Sequence, residues 1–324
     1  MNMSWTRHLP VAAAIATLLS ALVFGQGNTA QLTGAVTDES GAAVPDAKIE
    51  VTQEGTGTKR YGRTSQLGYF SIPQLPPAQY RVTIQQQGFR TVVRSGIQLA
   101  VGEIARVDLT LQVGQVSESV AVTADATHVD TQSATLGAVV DERRIRELPL
   151  NGRDATQLIG LLPGIVGTTD TSGLRQGGSG RGIVQPGYSS NGARSNMINY
   201  NLDGAGHNDT YTNVSLAMPN PDALQEFSVQ TNNFSAEFGR SAGGVVNAIT
   251  KSGTNSPHGS LFEFHRNNAA NARNFFASTD DGLKRHQYGG AIGGPVYIPR
   301  VYDGRNRTFF FFSHQETTDR KSVV

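Results

Sequence analysis

From residue 31 to residue 113 apolar and polar positions alternate with a period of two, interrupted by short clusters of turn residues. Leu32, Gly34 and Val36 alternate with Thr33, Ala35 and Thr37 until Asp38-Glu39-Ser40-Gly41 breaks the run. Ile49 and Val51 mark a second strand, residues 69–72 a third, Tyr80, Val82 and Ile84 a fourth, and Val107, Leu109 and Leu111 close the series. A period of two gives each strand one apolar face. Six or seven short strands within about 80 residues, with turn signals every ~8 to 12, predict a β-sandwich.

Beyond residue 128 the pattern is mixed. Residues 141–148 predict a short helix with Ile145 and Leu148 inward, stopped by Pro149. Asn151 is placed to cap a second helix in which Ala155, Leu158, Ile159 and Leu162 share a face before Pro163-Gly164 ends it. Residues 167–195, rich in glycine and serine, predict a loop. Residues 198–202 predict a strand turned by Asp203-Gly204, and Asn220 is placed to cap a helical turn leading into a strand over 227–231. In 258–267, Ser260, Phe262 and Phe264 fall on one face and Leu261, Glu263 and His265 on the other. Residues 288–298 and 308–315 predict two more strands, the last carrying four consecutive phenylalanines, Phe309 to Phe312. In water that run is an aggregation hazard, whereas at a membrane boundary it suits an aromatic girdle.

Residues 1–30 have a different layout: Arg7 and His8, an apolar run from Leu9 to Phe24, then a small, polar stretch. This is the order of a secretory leader, with cleavage after Gly25 or after Ala30. The apolar run is shorter than the ~20 residues of a spanning helix. Membrane residence, if any, is therefore expected from strands.

Composition narrows the function. Across 324 residues, 27 basic side chains oppose 26 acidic ones, a formal net charge of +1, so there is no field to hold a polyanion and nucleic-acid binding is not expected. With no cysteine, disulfides and thiolate metal sites are excluded. The 37 glycines, and eleven asparagines between Asn191 and Asn255, suit an irregular, loop-rich backbone. Gly177-Gly178-Ser179-Gly180-Arg181-Gly182 lacks the Lys-Ser/Thr of a phosphate loop. His258, His265, His286 and His314 lack metal-ligand spacing, and residues 203–209 lack the alternating oxygens of a calcium loop. No nucleophile is paired with a base, so no catalytic residue, cofactor or metal site is expected.

Several motifs carry resemblances. Residues 32–38, with Gly41, Val44-Pro45-Asp46-Ala47, Gly68-Tyr69-Phe70, residues 80–84 and Gly88-Phe89, resemble the carboxypeptidase regulatory-like domain. That resemblance implies a non-catalytic, prealbumin-like sandwich grouped with carbohydrate-binding-like folds. Glu118-Ser119-Val120-Ala121-Val122-Thr123-Ala124 resembles the TonB box of outer-membrane receptors, and its alternating β-branched residues suit an extended segment whose backbone adds to another sheet's edge. Residues 222–230, then Phe238-Gly239, then Gly243-Gly244-Val245-Val246-Asn247-Ala248-Ile249-Thr250-Lys251 resemble the end of a TonB-dependent receptor plug. Leu148-Pro149-Leu150-Asn151-Gly152-Arg153, Leu162-Pro163-Gly164-Ile165 and residues 195–204 narrow this to the Oar-like subgroup, as do residues 271–276 and 289–295, which resemble its opening barrel strands.

The expected fold is therefore mainly β: a leader (1–30), a prealbumin-like sandwich (31–113), a linker holding the TonB-box-like segment (114–127), an α+β plug (128–251) and the first strands of an incomplete transmembrane β-barrel (252–324). A barrel must close in lipid, and receptors with plugged lumens use about 22 strands. The expectation is thus an amino-terminal portion of a longer receptor, unable to transport alone. Its implied partners are TonB with the inner-membrane energising complex, the outer membrane, and a siderophore, oligosaccharide or peptide ligand. The rival reading is an exported carbohydrate-binding or adhesion module, which predicts a soluble product with sugar affinity.

Overall fold

The computed structural model describes residues 29–115, 119–123, 135–168, 187–211, 213–234, 238–239, 241–273 and 282–321. Most of the expected leader, residues 169–186 of the expected loop, and residues 274–276 of one barrel-like motif lie outside the described residues.

The first body is a two-sheet sandwich. One sheet is built on β1 (Ala30–Asp38), which pairs antiparallel with β4 (Tyr69–Leu75) and, on its other edge, parallel with β7 (Ile104–Arg106) and then β8 (Leu109–Leu111). The second has the order β3 (Lys59–Arg63), β2 (Lys48–Gln53), β5 (Ala78–Gln85), β6 (Thr91–Leu99), β9 (Ser119–Thr123). The alternation seen in the sequence is the burial pattern: Leu32, Ile49, Val51, Val82, Ile84 and Leu111 are sealed between the sheets, while their chain neighbours face water. Tyr80 is buried with them, its hydroxyl donating to the Pro76 carbonyl at 2.8 Å, and burial raises its pKa. Three strands were hidden from a period-two reading. β3 has no buried residue, β7 is three residues long, and β6 is interrupted at Gly96, whose φ of +79° accompanies a shift of register against β5.

The second body is a five-stranded sheet in the order β10 (Leu136–Asp141), β15 (Leu224–Asn232), β16 (Gly244–Thr250), β13 (Ile198–Leu202), β14 (Ala205–Gly206). The β13–β16 pairing is parallel and the others antiparallel. Helix α1 (Glu142–Glu147) packs on it, with Asp141 accepting from the Arg144 N–H as N-cap and Ile145 fully buried. The second expected helix takes another form. Gly152 and Arg153 both have positive φ, so the chain breaks after a 3-10 turn at Asn151–Arg153. Asp154, not Asn151, caps a 3-10 segment over Ala155–Leu161 by accepting from the Thr156 N–H. Leu158 and Ile159 are still fully buried, because either helix type turns the same apolar residues inward. The expected loop over 167–195 instead contributes to a two-stranded ribbon, β11 (Ile165–Thr168) with β12 (Gly187–Ser190). Asp203 and Gly204 turn β13 into β14, both at positive φ.

The third body is a three-stranded antiparallel sheet: β17 (His258–Asn267), β18 (Leu283–Pro295) and β21 (Phe309–Lys321). Between β18 and β21 lies a small hairpin, β19 (Tyr297–Ile298) with β20 (Tyr302–Asp303). Register places Ser260, Phe262, Gln287, Ser313 and Gln315 on the face toward the second body. Leu261, Ile292, Phe310 and Phe312 fall on the opposite face, exposed by 93%, 52%, 43% and 63%. Among the described residues no helix is long and apolar enough to cross a membrane.

Candidate functional site

The three bodies meet through a small set of polar contacts. At the junction of the second and third, Arg153 is the hub. Its guanidinium pairs with the Asp222 carboxylate, both side chains being 9% exposed, and its Nε donates to Gln315 Oε1 at 3.2 Å. The guanidinium carbon lies 4.1 Å from the centre of the Phe262 ring and 4.4 Å from that of Phe264, so the two aromatic rings of β17 cover the cation. Burial lowers the Arg153 pKa and the Asp222 charge opposes that fall. Asp222 also accepts from the Ser260 hydroxyl at 3.0 Å, Gln287 donates to the Gly152 carbonyl at 3.1 Å, and Asn220 donates to Ser313 at 3.0 Å. Local geometry aims both partners: positive φ at Gly152 and Arg153 turns the arginine toward β17, and the Asn220 cap fixes the turn holding Asp222.

Between the sandwich and the second body is a cleft of about 950 Å³, bordered by Gln53, Glu54, Arg146, Gln225, Glu226 and Lys251. Gln225 donates to the Pro77 carbonyl at 2.8 Å, and Glu226 accepts from the Val101 N–H at 2.7 Å. Burial pushes the Glu226 carboxyl up to about 7; the Val101 N–H opposes the shift and Glu103 adds to it. A folded-state value above the ordinary 4.5 means that the folded chain holds a proton the unfolded chain has lost, so stability falls as pH rises from 4.5 to 7. At about 1.4 kcal/mol per unit the cost above pH 7 approaches ~3 kcal/mol. Glu226→Gln keeps the acceptor for Val101 and removes the charge. It is expected to raise stability at pH 8 by about 1–3 kcal/mol and to flatten the slope between pH 5 and 7 in urea titrations; an unchanged slope would assign the pH dependence to other groups.

The motif residues found in the sequence form the middle of the second body. Gly243 donates to the Met197 carbonyl at 2.9 Å, and Gly244, at φ +149°, leaves no room for a Cβ, which would stand 2.9 Å from the Gln230 carbonyl. Asn247, fully buried, accepts from Asn201 at 2.9 Å. Thr250 donates twice to Asp203, from N–H and hydroxyl, each at 2.8 Å, tying β16 to the β13–β14 turn. Lys251 Nζ lies 3.1 Å from Glu142 of α1. Phe238 is half-buried and Gly239 exposed. These contacts hold the sheet together. Among the described residues no group of three or more His, Cys, Asp or Glu side chains is arranged to hold a metal.

The TonB-box-like segment is placed differently from the free, extended linker its composition suggests. Ser119–Thr123 form β9, parallel to β6 with Val93 opposite Ala121, at the edge of the sandwich. Glu118 and Ala124 lie outside the described residues. The sandwich's own edge is the nearest open ladder to residues 119–123, so their backbone groups pair there.

Comparison with known proteins follows this division. Residues 31–112 match the carboxypeptidase regulatory-like domain, and residues 249–324 match the outer membrane beta barrel domain. A TonB-dependent transporter Oar of Myxococcus xanthus is 27% identical over 330 aligned positions that take in 98% of this chain. The chain is similar, along nearly its whole length, to this TonB-dependent transporter. It spans 30% of the length of that curated relative. Among solved structures, the siderophore receptor PirA from Acinetobacter baumannii matches 57% of the chain and 24% of its own length at 19% identity and a TM-score of 0.41. Hydroxyquinol 1,2-dioxygenase from Pseudomonas putida matches 28% of the chain and 58% of its own at 13% identity and a TM-score of 0.23. Likeness at those scores carries no argument about activity. The features that sequence reasoning missed are the hub at Arg153 and Asp222 and the buried Glu226. Arg153 and Asp222 stood inside recognised motifs, but nothing in their spacing across 69 positions announced that they touch.

Proposed function

We propose that this chain is a portion of an Oar-like outer-membrane receptor that takes up a ligand with energy delivered through TonB. In this reading residues 31–113 are a periplasmic sandwich, 118–124 the coupling segment, 128–251 the plug and 252–324 the first wall of the barrel. The observation that carries it is the relationship to the Oar transporter along 98% of the chain. The geometry supports it: a compact, glycine- and asparagine-rich sheet body is pinned by Arg153 and Asp222 to the polar face of strands whose other face is apolar and exposed. That is the arrangement a plug and a lipid-facing wall require. An exported glycan-binding module would leave the exposed Leu261, Ile292, Phe310 and Phe312 without purpose. The ligand is a siderophore, an oligosaccharide or a peptide; loops around residues 167–215 would face it, and its specificity would come largely from barrel loops beyond these residues.

The decisive test is deletion of residues 118–124 in the complete receptor. Uptake is expected to be abolished while ligand still binds at the cell surface; unchanged uptake would sink the assignment.

A further inference from the structure

The hairpin between β18 and β21 is held rigidly. Val296 donates to the Thr308 carbonyl at 2.9 Å, Gly304 to the Val296 carbonyl at 2.9 Å, and the Tyr302 and Thr308 hydroxyls lie 2.6 Å apart. Asn255 clasps it from the other side through Asn306, with two hydrogen bonds of 2.8 Å. Yet this fixed hairpin exposes Tyr297 by 60%, Ile298 by 50%, Val301 by 79% and Tyr302 by 37%. Interleaved with them are Arg300, Arg305 and Arg307, all exposed. The segment's single acid, Asp303, is turned back to the Arg305 N–H at 3.1 Å, and none of the three guanidiniums has an ion-pair or hydrogen-bond partner among the described residues. Beside the hairpin is an apolar recess of about 310 Å³ formed by Pro257, Ile292, Pro295, Tyr297 and Phe310, with Arg305 at its margin.

Unpaired cations stand among exposed aromatic and aliphatic side chains, continuous with the apolar outer face of the sheet. We propose that residues 296–308 are a membrane-surface foot that binds anionic glycerophospholipid. The three arginines engage the headgroup phosphates, Tyr297 and Tyr302 sit at the headgroup level, and the recess takes part of an acyl chain. The charge complementarity is specific to this occupant: three free arginines suit phosphate, and the neighbouring Phe310 and Phe312 continue into hydrocarbon. The inference rests on the reading of β17, β18 and β21 as a lipid-facing wall, and its test separates the two.

The full chain, added from dilute detergent, is floated with vesicles of phosphatidylcholine alone and of phosphatidylcholine mixed with phosphatidylglycerol. It is expected to float with both and to partition about tenfold or more tightly onto the anionic vesicles at low salt. The combined change Arg300→Gln, Arg305→Gln and Arg307→Gln is expected to erase the preference, and the same three positions changed to lysine to retain it. Flotation with neither vesicle would overturn the wall and the foot together. Equal partition onto both, or a preference that survives the glutamine changes, would overturn the foot alone. Displacement by excess inorganic phosphate at constant ionic strength would reassign the arginines to a free anion.

Discussion

Stapling Val93 to Ala121 through Val93→Cys and Ala121→Cys is expected to reduce uptake by the complete receptor about tenfold or more, with recovery on reduction. The two are register partners on neighbouring parallel strands, which lie ~5 Å apart, within the span a disulfide bridges. Val93 is only half-buried, so its replacement leaves the sandwich core intact, and these 324 residues contain no native cysteine to compete for the bridge. The effect follows from where the segment sits. A partner that captures residues 118–124 by strand addition moves the plug only if the segment can leave its place. Once stapled, it would have to drag the sandwich, which is fastened by Val101 to Glu226, by Pro77 to Gln225, and by the Gly55 carbonyl, which accepts from the Asn255 N–H at 2.9 Å. Non-reducing electrophoresis first checks that the bridge forms; failure to form would show that β9 does not rest on β6. A bridge that forms and leaves ligand uptake untouched would show that release from β6 is not part of coupling.

Asp222→Ala is expected to destabilise the chain by about 3–5 kcal/mol, because it leaves the buried Arg153 guanidinium without its counter-charge. It also strips the Ser260 hydroxyl of its acceptor. The pair need not be stabilising in itself: Arg153→Met combined with Asp222→Leu, which removes both charges and keeps volume, is expected to cost far less. Urea titrations of the two single variants and the double variant form a cycle whose coupling energy reports the pair. A single variant within about 1 kcal/mol of the parent would place the junction in water rather than in a desolvated seam.

What could be read in the sequence was what neighbouring residues decide. The alternation through Leu32–Val36 and Tyr80–Ile84 gave two sandwich strands because one face of each is sealed. The Asn220 cap and the Asp203-Gly204 turn were visible because a local hydrogen bond or a positive φ selects the residue type, whereas Asp141, expected as the first helical residue, is the cap. The second helix went wrong at Gly152-Arg153, where the chain adopts two positive φ values in order to aim an arginine at residues more than a hundred positions later. Within 243–251, spacing could not say that Asn247 and Thr250 brace a sheet. β9 shows the converse. Its residues read as strand-forming from composition, whereas the choice of β6 as partner depends on an edge exposed only once the sandwich exists.

The order of β1 carries a consequence for how such a chain is made. β1 begins at Ala30, yet it lies in the interior of its sheet, and one of its edges is filled by β7 and β8, some seventy positions later: the Ala35 N–H donates to Asp108 across 73 residues. A chain emerging from its amino end therefore presents β1 long before its partners, with Leu32 and Val36 uncovered. Contacts of such high sequence separation close slowly. The sandwich stays pliant until residues near 111 have emerged, and the domain sets only when its own last strands arrive.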